Sequence, residues 1–313
     1  EFAEFVLDRR ERFLDSLRAE RSLVCKRGEE PRRRGMSSRA LAAAGGLAAG
    51  YAAWRFRGVV PEDLAGRVCL ITGAGNGVGR ETALQFAKDG CDLILWDLNE
   101  QGMQETIALV AKVSQARCLA QVVNVANREE VYARAADAQG WAAPRHVSIL
   151  VNNAGIVAGK DFMSTDDDNI VKTFQVNALA HFWSCKAFLP AMIAAKQGHV
   201  VTVASAAGLT VAPMMVPYGA SKHAAVGFAH GLRKELKVLG HAAIRTSLIC
   251  PAHIRTKLFE GFKQPFMPAL CPVYVGAQIL DSVRRNRPYV VMPWMADPAI
   301  FHMLFPVSVQ DRI

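Results

Sequence analysis

From Arg67 onward, short runs of apolar and β-branched residues alternate with longer stretches whose apolar positions recur at helical spacing. The predicted strands are Val68–Thr72, Leu93–Asp97, Cys118–Val125, Ile149–Asn152, His199–Ala204, Arg245–Cys250 and Tyr289–Met292. Helical stretches are predicted near 78–89, 100–115, 127–139, 166–196 and 216–239. Most of the strands show no apolar–polar alternation, as expected when helices cover both faces of a parallel sheet. The strand–helix repetition predicts an α/β fold: one domain over 61–313, with a doubly wound parallel sheet of about seven strands. No second domain and no internal repeat interrupt the pattern.

Residues 1–60 differ in character. They carry a net charge of +5, against +4 for all of 61–313. Residues 1–35 are densely charged, ending in Arg32-Arg33-Arg34, and Met36 is a plausible start. An apolar run, Ala40 to Trp54, follows and is closed by Arg55 and Arg57. Its fifteen residues are short for a spanning helix, which needs about 20. Three readings stand: a shallow membrane anchor with snorkelling arginines, a mitochondrial-type targeting peptide, or a buried or flexible extension. The basic excess suits a membrane surface at the N-terminus, or simply a slightly basic soluble surface. No basic stripe with interleaved aromatics points to nucleic acid. The seven cysteines are scattered, without a CxxC pair or zinc spacing, so reduced thiols are expected and no metal site is.

Chemistry enters at the strand ends. Thr72-Gly73-Ala74-Gly75-Asn76-Gly77-Val78-Gly79 directly follows the first strand and opens a helix. Such glycines let the backbone turn tightly and approach a pyrophosphate held at the helix N-terminus, the arrangement of a Rossmann-type dinucleotide site. Asp97 ends the second strand about 20 residues on, where a carboxylate accepts ribose hydroxyls and repels a 2′-phosphate. No Arg or Lys lies between Gly73 and Gly79. NAD(H) is therefore favoured over NADP(H); a plain turn cap is the competing role for Asp97. Asn124-Val125 and Asn152-Asn153-Ala154-Gly155 close the third and fourth strands on the edge where open α/β sheets bind ligands.

Tyr218 and Lys222 are one helical turn apart. An ammonium beside a phenol is expected to lower its pKa from about 10 toward the working pH, giving a proton acceptor for an alcohol. Ser205, just past the fifth strand, can hold the substrate oxygen. Asn177, in a long helical stretch, is either a satisfied buried amide or a water-holding link to the lysine.

Together these motifs resemble the short-chain dehydrogenase/reductase family over about residues 64–295, through Thr72-Gly73-x-x-x-Gly77-x-Gly79, Asn152-Asn153-Ala154-Gly155 and Asn177, Ser205, Tyr218, Lys222. The resemblance implies Tyr218 as acid/base, Lys222 on the nicotinamide ribose, Ser205 orienting substrate and Asn177 in a proton relay. It also implies cofactor contacts at Asn76, Val78, Pro251 and Thr256, and a homodimer packed through 166–196 and 216–239. Finer stretches, among them Leu95-Trp96-Asp97 and Phe174-Gln175-Val176-Asn177, are similar to the membrane-associated branch of retinol and 17β-hydroxysteroid dehydrogenases. That branch implies a hydrophobic N-terminal segment, a place on endoplasmic reticulum or lipid droplets with the domain in the cytosol, and a lipophilic alcohol as substrate. Two departures stand out: the family usually has Asp at Asn124, and Gly at Ala252.

The stretch from His253 to Leu270, with Leu258, Phe259, Phe262, Phe266 and Met267, is the expected substrate loop; its apolar content suits a lipophilic ligand or simply packs the loop down. The expectation is an NAD-linked oxidoreductase of retinoids, steroids or related lipids. An NADPH-type reductase of acyl or small carbonyl compounds, and a cofactor-binding lipid-droplet scaffold with little turnover, are the alternatives.

Overall fold

The computed structural model describes residues 60–210, 213–256, 258 and 269–293. The expected anchor or targeting segment at 40–54, most of the substrate loop (257 and 259–268) and the chain from 294 onward lie outside the described residues.

The elements follow in order as β1 (Val68–Thr72), α1 (Gly77–Lys88), β2 (Asp92–Asp97), α2 (Glu100–Ala111), β3 (Cys118–Val122), α3 (Arg128–Ala142) and β4 (Val147–Asn152). Next come α4 (Asp167–Phe174), a π-helical segment (Gln175–Leu179), α5 (Ala180–Ala194), β5 (Gly198–Val203) and α6 (Val216–Val238). β6 (Ile244–Pro251), α7 (Pro272–Arg284) and β7 (Tyr289–Met292) complete the series. All seven strands pair in parallel in the order β3-β2-β1-β4-β5-β6-β7. The predicted Rossmann-type sheet is the one observed.

The missing alternation has its reason in two cores. Cys69, Ile71, Leu93, Leu95, Ile149 and Val151 face one side, packing with Phe86 of α1, Met103 of α2 and Ile279 of α7. Val68, Leu70, Ile94, Trp96 and Leu150 face the other, packing with Ala135 of α3, Phe188 of α5 and Leu236 of α6. Both faces of each central strand must therefore be apolar. The indole N–H of Trp96, buried in the second core, donates to Gln121 Oε1 at 2.7 Å.

Three expectations are corrected. Helix α7 was not anticipated. The helical stretch 166–196 is broken by the π-helical segment that carries Asn177. The third strand ends at Val122, so Asn124 and Val125 lie in the turn beyond it.

Two histidines are sealed inside. His199 of β5 meets Ser247 Oγ at 2.8 Å, whereas Nδ1 of His181 on α5 has no hydrogen-bond partner among the described residues. Burial pushes both imidazoles down to about 3 from an ordinary 6.5, with Lys222 contributing at His181 and Arg245 and Arg67 at His199. Above pH 6.5 both are neutral in the folded and unfolded chain alike. Below it the unfolded chain takes up protons that the folded chain refuses, so stability falls as pH drops toward 3. From pH 7 to pH 5 the loss should be about 2 kcal/mol per histidine, read as a lower urea midpoint; an unchanged midpoint would contradict the buried neutral assignment.

Candidate active site

The strand order reverses between β1 and β4, and the carboxyl ends of these two strands are stitched together. Thr72 Oγ1 accepts from the backbone N–H groups of Asn153 (2.9 Å) and Ala154 (3.0 Å). The Asn153 amide donates back to Thr72 O at 2.9 Å and to Gly73 O at 3.3 Å. A crevice at such a switch point is where open α/β sheets take their ligands.

On the β1 side, Gly73 adopts φ +69°, a left-handed conformation that costs a side-chain-bearing residue energy. Its N–H and that of Ala74 donate to Trp96 O, tying the turn to β2. Asn76 stands at the N-cap of α1 in an extended conformation and makes no side-chain capping bond, and the first turn holds no acidic residue. The helix thus keeps backbone N–H groups and a positive dipole end for an anion. Val78 packs onto the core, and the methyl of Thr256 would lie 3.3 Å from a Cβ on Gly77.

Asp97 is aimed at this loop. Oδ2 accepts from Gly75 N at 2.8 Å and Oδ1 from Asn99 N at 2.9 Å. Each oxygen retains acceptor capacity. Arg80, which sequence reasoning passed over, braces the loop from below: it donates to Gly75 O (2.6 Å), Gly102 O (3.1 Å), Glu105 Oε2 (2.8 Å) and Thr106 Oγ1 (3.1 Å). Thr106 in turn donates to Ala74 O at 2.9 Å. With its guanidinium spent on these partners, Arg80 is a scaffold for the turn. A glycine cradle, an uncapped helix start and a carboxylate one strand away are a donor and acceptor set that fits a dinucleotide.

On the β4–β5 side, Tyr218 lies in the first turn of α6, whose second residue, Pro217, stands where a missing N–H costs nothing. Ser205 hydrogen-bonds the Tyr218 hydroxyl. Ser205 Oγ also accepts from Ala207 N at 3.1 Å and lies 3.4 Å from Pro251 O at the end of β6. Lys222, one turn on, is 3% exposed; its Nζ donates to Val203 O at 3.0 Å and lies 5.9 Å from the centroid of the Tyr218 ring. A Cβ on Gly155 would stand 3.5 Å from Lys222 Nζ and 3.4 Å from Asn177 Oδ1, which places the three together. The Asn177 amide is fully buried. It accepts from Ile156 N (2.8 Å) and donates to Ile156 O (2.9 Å) and Ser221 Oγ (3.0 Å), and Ser221 donates to Tyr218 O (2.7 Å). π-helical turns of the kind that holds Asn177 recur at functional sites.

The expected pKa order is corrected. Burial pushes the Tyr218 phenol up to about 12, with the Ser205 hydrogen bond pulling the other way, and pushes the Lys222 ammonium down to about 8. The lysine does not bring the phenol toward neutrality, because its charge stands a turn away and both groups are desolvated. The start of α6 beside the phenol favours its anion.

The base of the substrate loop is pinned. Ile254 and Leu270 form a parallel bridge, with Arg255 N donating to Leu270 O (2.9 Å) and Leu270 N to His253 O (2.8 Å). Among the described residues no helix is long and apolar enough to cross a membrane, and no His, Cys, Asp or Glu group could hold a metal.

A short chain dehydrogenase family model matches residues 67–265, spanning the glycine turn, the tyrosine–lysine pair and most of the sheet. The chain belongs to the short-chain dehydrogenase family. The member is 45% identical to estradiol 17-beta-dehydrogenase 11 of Rattus norvegicus over 80% of this chain and 83% of that protein. It is 44% identical to epidermal retinol dehydrogenase 2 of Mus musculus, over 74% of this chain and 75% of that one. A short chain dehydrogenase/reductase from Burkholderia phymatum, solved in complex with NAD, superposes with a TM-score of 0.66 at 27% identity, covering 77% of this chain and 92% of that one. This short-chain dehydrogenase is thus an oxidoreductase related to 17β-hydroxysteroid and retinol dehydrogenases.

Proposed function

We propose that this short-chain dehydrogenase interconverts a lipophilic alcohol, of retinoid, steroid or related lipid type, and its carbonyl, using NAD(H). The observation that carries the reading is the Ser205–Tyr218 hydrogen bond, with Lys222 one turn away, at the sheet edge that also bears the glycine turn. Bound in that turn, a nicotinamide dinucleotide supplies the hydride acceptor or donor. Tyr218 takes the alcohol proton in oxidation and returns it in reduction. Ser205 orients the substrate oxygen toward the phenol, and Lys222, held by Val203 O, would bind the nicotinamide ribose. Asn177 holds the backbone at Ile156 beside Lys222 and links, through Ser221, to the Tyr218 carbonyl. Gly73, Asn76, Gly77, Val78 and Gly79 cradle the phosphates, and Asn153, Ala154, Gly155, Pro251 and Thr256 flank the nicotinamide half.

The lipid substrate class rests on the relatives named for estradiol and retinol and on the apolar sequence of the 253–270 loop. We assign a homodimer to the faces of α4 to α6, where Val171, Leu179, Phe182 and Val216 are apolar yet exposed. The membrane or lipid-droplet location rests on the apolar run at 40–54.

The test is formation of reduced cofactor by the purified chain with NAD⁺ or NADP⁺ and retinol, estradiol or short alcohols. NAD-linked turnover of a lipid alcohol is expected; dinucleotide binding without turnover of any alcohol would favour a scaffold. Asp97→Ala tests the cofactor choice. Loss of the carboxylate removes an acceptor for ribose hydroxyls and the repulsion of a 2′-phosphate, so the NADP-to-NAD preference should rise at least about tenfold. A wild-type chain that favours NADP, with a ratio unmoved in D97A, would remove Asp97 from this role.

A further inference from the structure

The two edges of the sheet differ in charge. On the carboxyl edge, Asp161, Asp166, Asp167 and Asp168 are exposed along the way from β4 into α4, with Lys160 beside them. On the amino edge, where helices end and strands begin, Lys196 follows α5, and Lys234 and Lys237 stand in the last turns of α6 around Glu235. Gly198 of β5 pairs with Ile244 of β6, so these three lysines share one corner. They are exposed and make no ion pair among the described residues. In the same corner Val238 is 84% exposed and Leu239 61%. Lysines at a helix end complement its dipole wherever they occur; two adjacent, nearly bare aliphatic side chains between them have no such account. The chain also enters the domain at this edge. Glu62 N donates to Arg284 O at 2.7 Å, and the Glu62 carboxylate pairs with Arg67 before β1 and, at 2.6 Å, with Arg245 at the start of β6. The apolar run ending at Trp54 is six residues before Val60, a stretch that reaches at most about 20 Å. β6, eight residues long, sets the carboxyl edge about 25 Å farther on.

We infer that the amino edge of the sheet docks on the anionic headgroups of a lipid surface, with Val238 and Leu239 in the acyl boundary and Lys196, Lys234 and Lys237 on the phosphates. The inference rests on the membrane location read from the 40–54 run and adds which face of the domain meets the lipid. Lysines near an anionic surface add an attraction that fades within a Debye length, about 10 Å at 0.1 M salt. Buried aliphatic groups add a part that salt does not screen. The other bare apolar pair, Phe162 and Met163 on the carboxyl edge, is set among four aspartates, which the same surface repels. Docked by its amino edge, the domain turns Ser205 and Tyr218 toward water.

The experiment uses the full chain with phosphatidylcholine vesicles, made with and without phosphatidylserine. In sedimentation, K234Q/K237Q should bind the phosphatidylserine vesicles about thirtyfold less tightly than wild type and phosphatidylcholine alone equally well. Leu239→Trp and Met163→Trp place a reporter on each edge, read as quenching by lipid with brominated acyl chains beyond that seen in wild type. Leu239→Trp should be quenched and Met163→Trp should not. Quenching of Met163→Trp, alone or beside Leu239→Trp, overturns the inference. So does vesicle binding with neither reporter quenched, or a lysine pair whose neutralisation changes nothing. A wild type that sediments with neither vesicle overturns the membrane reading itself, and this inference with it.

Discussion

Replacing Tyr218 with phenylalanine is expected to lower turnover at least about a thousandfold while leaving dinucleotide affinity within about threefold. The ring is 5% exposed and packs at the start of α6, so the substitution keeps the packing and removes one oxygen. That oxygen is the titratable group hydrogen-bonded to Ser205 among the described residues, and general acid–base transfer by a positioned side chain is worth about 10²–10⁴ in rate. The upper part of that range applies because no second acid stands in to replace it among the described residues: Lys222 is tied to Val203 O, and the Asn177 amide is committed to Ile156 and Ser221. Folding stability should change by about 1 kcal/mol, the worth of the one hydrogen bond to Ser205. Single-turnover and steady-state rates with NAD⁺ and a lipid alcohol, beside a fluorescence titration of dinucleotide, separate the two effects. Turnover within tenfold of wild type would remove Tyr218 from the proton transfer.

What the sequence revealed, and what it withheld, divides along a physical line. Strands buried on both faces announce themselves as unbroken apolar runs, so the sheet was legible, and with it Asp97, Asn153 and Ser205 at or just past strand ends; the partly exposed third strand was drawn three residues too long. Helix α7 was missed although Val275, Ile279 and Val283 recur four apart behind Pro272, because the apolar sequence before it hides where the helical period begins. The π-helical segment was not legible, because one extra residue in a turn leaves the apolar pattern on either side intact; it shows only in the backbone of Gln175–Leu179. Arg80 reads as an ordinary charge after the glycines. Its role appears only when the fold brings Gly102, Glu105 and Thr106, more than twenty residues away, beneath the turn. The Tyr218 pKa was read with the wrong sign for the same reason: spacing places the lysine near the phenol, but desolvation depends on the whole fold.

Adding a single methyl group at Gly79 should undo the cofactor site more completely than removing any charged group from it. A Cβ there would lie 2.0 Å from Gly73 O, 2.7 Å from Gly73 C and 2.8 Å from Asn153 Nδ2. None of these is the end of a flexible chain: the first two are backbone, and the third is held by Thr72 O and Gly73 O. Helix α1 must therefore move off β1, or the turn must open and release the bond from Gly73 N to Trp96 O. Either course disturbs the N–H groups proposed to hold the phosphates and the stitch between β1 and β4. Gly79→Ala is expected to weaken dinucleotide binding at least about a hundredfold and to cost about 1–3 kcal/mol of stability, as overpacking does. Gly140→Ala on α3 is the control, since a Cβ there meets nothing within 4 Å and alanine is the better helix former by about 1 kcal/mol. Urea midpoints and dinucleotide titrations of both variants decide the matter: G140A should match or exceed wild type in stability and bind normally. A G79A variant that binds within tenfold of wild type would show that α1 can shift without cost, and that the close approach of its first turn to Gly73 is not what builds the cradle.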